Sequence, residues 1–69
     1  MDMAGSVKEC TERILDVLAR SERINLLSFA SLLGERSVVV YQAIGWLAHE
    51  GKIDYLQERN QVYISKARQ

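Results

Sequence analysis

Residues 37–51, Ser37-Val-Val-Val-Tyr-Gln-Ala-Ile-Gly-Trp-Leu-Ala-His-Glu-Gly51, decide the fold. They read as one helix with a start and a stop. The Ser37 hydroxyl is placed to accept from an otherwise unpaired N–H of the first turn. Gly51 is placed to end the helix, because a left-handed backbone costs glycine almost nothing. At about 100° per residue, Val40, Ala43, Ile44 and Leu47 share one side and form the predicted core face. The opposite side carries Val38, Gln42, Gly45 and His49. A third stripe, Val39, Ala43, Trp46 and Glu50, runs between them.

Outward from this helix, the N-terminal side offers two more. Ser6-Val-Lys-Glu9 has the capping-box pattern, with Ser6 bonding forward and Glu9 reaching back. The spacing predicts a first helix from there to about Arg20, with residues 1–5 disordered. Val7, Cys10, Ile14, Val17 and Leu18 form its apolar face. Glu9–Arg13 and Asp16–Arg20 are four apart with the acid first, the favourable orientation on a solvated face. Ser21 to Arg23 is a polar break, and Ile24 suits a strand of one or two residues. Asn25 is the predicted N-cap of a second, short helix carrying Leu26, Phe29, Ala30 and Leu33 at i, i+3, i+4, i+7. Gly34 ends that helix, and Glu35 and Arg36 link it to the main one.

Beyond Gly51 the period changes from helical to alternating. Lys52–Gln57 and Gln61–Ser65 read as two strands rich in β-branched and aromatic residues. Ile53 and Tyr55 face one way, opposed by Val62 and Ile64. Leu56 and Tyr63 fall on the other face and cover each other. Asn60 is the expected left-handed residue of the turn. Residues 66–69 form a polar tail.

Helix, short strand, short helix, glycine turn, long helix and hairpin, in that order, resemble the winged helix-turn-helix fold. The spacing Ala30-x3-Gly34-x5-Val40 carries the likeness in the two-helix unit. The expected architecture is therefore α+β: three helices plus a C-terminal two-stranded β-hairpin wing, with a short strand near Ile24. Tyr41-Gln-Ala-Ile-Gly-Trp-Leu-Ala-His-Glu-Gly-Lys-Ile53 further resembles a family of small bacterial and archaeal winged-helix domains of unknown function. The Ala-Ile-Gly-Trp-Leu-Ala run is the specific part. That resemblance covers about residues 7–65 and implies architecture and a nucleic-acid-binding ancestry, not a target. Glu35 departs from the fold's usual apolar residue at its position. Val38 and Val39 stand where a recognition helix usually begins with polar residues.

Composition bounds the rest. At 69 residues the chain is one domain, expected over residues 6–65. A chain this short buries only about 60% of its unfolded surface, so its stability is marginal and a partner subunit would help. One Cys and one His neither form a disulfide nor complete a zinc site. No membrane span or signal-peptide pattern is present, which makes the cytoplasm the expected compartment. No cofactor, metal or small-molecule ligand is expected. Catalysis is not expected either: no nucleophile has a base placed by spacing, and no phosphate-binding glycine loop follows a strand. The single histidine, His49, sits near a helix C-terminus, where it complements the dipole.

Two function classes remain. As a DNA-binding module, the third helix would enter the major groove. Its candidate contacts are Arg36, Ser37, Gln42 and His49, with Val38 and Tyr41 beside them. Lys52, Arg59, Asn60 and Lys66 are the candidate backbone contacts, the hairpin turn at Arg59-Asn60 acting as the wing tip, and Arg68 lies near them in sequence. Charge argues against this class. The net charge is zero, and the outward stripe of the main helix holds no Lys or Arg, whereas DNA affinity is dominated by phosphate neutralisation. As a protein-interaction or homodimerisation module, the chain would use Val38, Val39, Tyr41, Gly45 and Trp46. Trp46 is expected to cover the hairpin as part of the core, with an exposed anchor as the alternative. A mid-helix glycine costs about 1 kcal/mol relative to alanine, so Gly45 points to close approach by something else.

Overall fold

A computed structural model describes residues 2–68. It contains α1 (Met3–Leu18), β1 (Ile24–Asn25), a 3-10 turn (Leu26–Ser28), α2 (Phe29–Leu33), α3 (Ser37–His49), β2 (Ile53–Glu58) and β3 (Gln61–Lys66). The expected winged helix-turn-helix is present, and Ile24 does supply a two-residue strand. That strand makes the sheet three-stranded, in the order β1-β3-β2, with both pairings antiparallel.

Helix α1 starts earlier than the capping box suggests. Met3 to Gly5 form its first turn, and the N–H of Ser6 donates to the Asp2 carbonyl at 3.0 Å. The expectation that residues 1–5 are disordered is corrected for the described part of that segment; Met1 lies outside the described residues. The apolar stripe explains the extension. Met3 precedes Val7 by four residues, and both pack against the core. Asp16–Arg20 forms the predicted ion pair at 2.9 Å. Arg13 instead donates to the Leu33 carbonyl, tying α1 to the last turn of α2.

Both glycine stops are as read. Gly34 and Gly51 have φ of 62° and 73°. Across Gly51, the N–H of Lys52 donates to the Leu47 carbonyl and that of Gly51 to Ala48, each at 3.0 Å. This Schellman pattern satisfies carbonyls that the helix end would otherwise leave open. Asn25 caps the 3-10 turn that leads into α2, its side chain accepting from the Leu27 N–H at 2.9 Å, while α2 itself begins at Phe29, later than expected.

The core joins Cys10, Ile14 and Leu18 of α1 to Phe29 and Leu33 of α2, the buried arc of α3, and Ile53 and Ile64 of the sheet. The register sets Leu56 opposite Tyr63 and Tyr55 opposite Ile64, as the alternation implies. Tyr55 nevertheless stays exposed, because β2 is an edge strand and only Ile53 and Ile64 reach beneath the helices. The buried Thr11 hydroxyl is satisfied by the Lys8 carbonyl at 2.6 Å. The hairpin turn corrects one expectation: Arg59, with φ of 58°, takes the left-handed position rather than Asn60. In a two-residue turn the first central residue can carry the positive φ alone.

Candidate nucleic-acid interface

The helix-turn-helix unit is set by Gly34, after which the chain has two residues to enter α3. Arg36 is the N-cap residue, and its carbonyl accepts from Val39 and Val40 at 3.1 Å. Ser37 was expected to cap this helix. It is the first helical residue instead, and no side chain caps the end. The Glu35 carboxylate accepts from the Arg36 N–H at 2.8 Å. This accounts for an acid where the fold usually has an apolar residue: a negative group beside a helix N-terminus is favoured by its dipole.

Along α3, Ser37, Val38, Tyr41, Gln42, Gly45 and His49 all face solvent. Two residues trade places relative to expectation. Val39, a candidate interface residue, is 0% exposed and belongs to the core, whereas Trp46 is 55% exposed. The buried arc of α3 runs from Val39 through Ala43 and Leu47 to Ile44. Trp46 lies only about 20° beyond Val39 on the helical wheel, just past the edge of that arc. It stands over the N-terminal half of α1 and not over the sheet. There it forms one wall of a groove of about 650 Å³ with Met3, Val7, Lys8 and Gln42.

The candidate cations do not gather. Arg36 precedes the thirteen-residue α3 and Lys52 follows it, which separates them by about 20 Å at 1.5 Å per residue. Lys52 and Lys66 do share a cleft with Leu15 and Glu50, of about 540 Å³. Within it, Lys52 pairs with Glu50 at 3.5 Å. Arg59 and Asn60 are exposed at the wing tip, the far end of the six-residue β2.

One charged residue at the wing escaped the sequence reading. Arg23, in the polar break before β1, places its guanidinium 2.8 Å from the Glu58 carboxylate. It also lies 4.2 Å over the Tyr63 ring, a cation–π contact. The hydrogen bond from Arg23 is the main cause that holds the Glu58 carboxyl below its ordinary range, and it raises the Arg23 pKa in turn. No local pattern announces this contact, because β1 must first pair with β3 to bring position 23 near position 58.

Residues 13–66 match the family model described as a winged helix-turn-helix domain (DUF2582). The chain belongs to this family. The winged-helix domain also superposes on RV1404 from Mycobacterium tuberculosis, with a TM-score of 0.77 and 22% identity over 96% of its own length. It spans about half of that neighbour, 52% of the RV1404 chain. It similarly matches reduced HlyU from Vibrio cholerae N16961, with a TM-score of 0.74 and 17% identity, covering 96% of this chain and 74% of that one. At such identities the likeness establishes the fold alone. None of the curated proteins gives a significant match to this winged-helix domain.

Proposed function

We propose that this winged-helix domain binds double-stranded DNA as a transcription-regulator-like module. Helix α3 enters the major groove, and the turn at Arg59-Asn60 approaches the backbone. The observation that carries the reading is that the second helix of a glycine-turned pair exposes polar donors and acceptors, Ser37 in its first turn and Gln42 and His49 on one line along it. That is the element through which helix-turn-helix proteins read base edges. Gln42 is suited to adenine, and Arg36 to guanine or a phosphate. Lys66 and Lys52 follow the backbone near the end of α3. Such a role places the domain in the cytoplasm.

Because the cations are few and dispersed, binding is weak and governed by salt. With three to four phosphates neutralised, log K falls against log salt with a slope of about −3. Fluorescence anisotropy of a labelled duplex, titrated between 50 and 200 mM salt, reads this directly. Arg36→Ala and Gln42→Ala lower the affinity. An unchanged anisotropy at the lowest salt removes the reading.

A second reading is favoured by Trp46. An exposed tryptophan beside Met3 and Val7 is an anchor suited to a second copy or another protein. Concentration-dependent mass in sedimentation, lost on Trp46→Ala, supports it. A monomer at high concentration removes the self-association form.

A further inference from the structure

We infer that Arg23 is a phosphate-binding residue of the wing, and that Glu58 occupies it until a nucleic-acid backbone arrives. The inference rests on the DNA-binding reading above and adds to it a residue, a ligand group and a built-in competitor. Glu58 is the last residue of β2, immediately before the Arg59-Asn60 turn. The group that meets its carboxylate at 2.8 Å is therefore at the wing tip, although it comes from the segment before β1.

The sheet delivers it there. Asn25 opposes Tyr63, and Tyr63 opposes Leu56. Arg23 immediately precedes the two-residue β1, and its long side chain lies over Tyr63 of β3 and reaches Glu58 of β2. Tyr63 lies beneath the guanidinium, its ring centroid 4.2 Å away. Asn25 donates to the Gln61 side chain at 2.6 Å on the neighbouring strand, which fixes the strand that presents Arg23.

The chemistry follows from the guanidinium. Its flat fork of donors recognises a carboxylate and a phosphate by the same geometry. The Arg23 and Glu58 side chains keep 40% and 51% of their surface exposed. Solvent-exposed pairs contribute little to stability, so exchanging one oxyanion for another carries a small penalty. With Glu58 in place, the tip presents the charge of Arg59 alone. With a phosphate in its stead, both guanidinium groups face the nucleic-acid backbone and the released carboxylate stays in solvent beside them. The acid at the opposite end of β2, Asp54, is engaged elsewhere, accepting from the Arg68 N–H at 3.4 Å. Glu22, next to Arg23 in sequence, acts on it more weakly than Glu58 does.

The test compares wild type, Glu58→Gln, Arg23→Gln and the double variant on one labelled random-sequence duplex, by anisotropy at 50 and 200 mM salt. E58Q binds more tightly than wild type. The margin of E58Q over the double variant shrinks by a factor of about 3 to 4 between the two salts, as one phosphate contact requires. R23Q binds more weakly than wild type, and the double variant loses the E58Q gain. Equal binding by E58Q and the double variant overturns the inference, because the gain then comes only from removing a repelling carboxylate. So does an E58Q curve that overlays wild type. Binding by none of the four, wild type included, overturns the DNA-binding reading itself. Thermal melts establish that each variant is folded. If R23Q is unfolded, Arg23→Lys in the E58Q background reads the same contact: it keeps the charge, loses the fork and gives an affinity below that of E58Q.

Discussion

The N–H of Glu35 donates to the carbonyl of Ala30 at 3.0 Å, across a Gly34 whose φ is 62°. This bond closes α2 and sets the angle at which α3 leaves it. A side chain at position 34 would meet nothing within 4 Å, so the need for glycine is conformational and not steric. Gly34→Ala therefore costs about 1–2 kcal/mol, the penalty of a left-handed backbone for an L-residue. Urea unfolding shows it as a lower midpoint with an unchanged slope.

Gly45 makes the opposite prediction. It is helical and exposed, and an added Cβ again meets nothing within 4 Å. Gly45→Ala stabilises the domain by about 0.5–1 kcal/mol, because helix propensity improves and nothing is displaced. The wild-type glycine is then explained only by what approaches from outside. If DNA does so, the same variant is more stable and binds more weakly, a combination that melting and anisotropy read separately.

Val39 and Trp46 separate core from surface. Val39→Ala removes two buried carbons and costs about 2 kcal/mol. Trp46→Ala costs less despite the larger truncation, since more than half of the side chain is already exposed at 55%. Denaturant midpoints of the two variants give the order. A reversed order would place Trp46 under the sheet.

Cys10 is 1% exposed, and its pKa is raised, first by burial and then by the Glu35 charge, with Arg13 opposing. A thiol whose folded pKa lies above its unfolded value contributes stability that is complete below the ordinary value of 9.0 and is lost as pH rises past it. Native protein therefore reacts slowly with a thiol reagent at neutral pH and fast in denaturant, and its melting temperature declines above pH 9.0. Rapid modification of the folded state would show that Cys10 is not sealed between the helices.

The sequence carried the architecture because the deciding signals are local. Gly34, Gly51 and Asn25 act within one turn of their own positions, and the alternation in 53–65 sets the strand faces by itself. What stayed hidden depends on where one element ends against another. Val39 and Trp46 are neighbours on the helical wheel, and only the position of α1 and the sheet decides which is covered. Ser37 has the right chemistry for a cap, but the Glu35 carboxylate meets the Arg36 N–H and the helix begins one residue earlier than a Ser37 cap would start it. Met3 shows the same limit at the other end, where an apolar stripe reaching the core outweighed a well-formed capping box. Among the candidate contacts, the line on α3 was legible from periodicity. The Arg23–Glu58 pair was not, since it exists only once β1 has joined the sheet.

The most direct test of DNA recognition by α3 is a two-dimensional amide NMR spectrum of labelled protein, titrated with a short duplex at low salt. The account predicts that the amides of residues 36–42 and the wing-tip amides of Arg59 and Asn60 shift together and recover as salt is raised. Shifts confined to the α1 groove around Val7 and Trp46, or none at all, would contradict it.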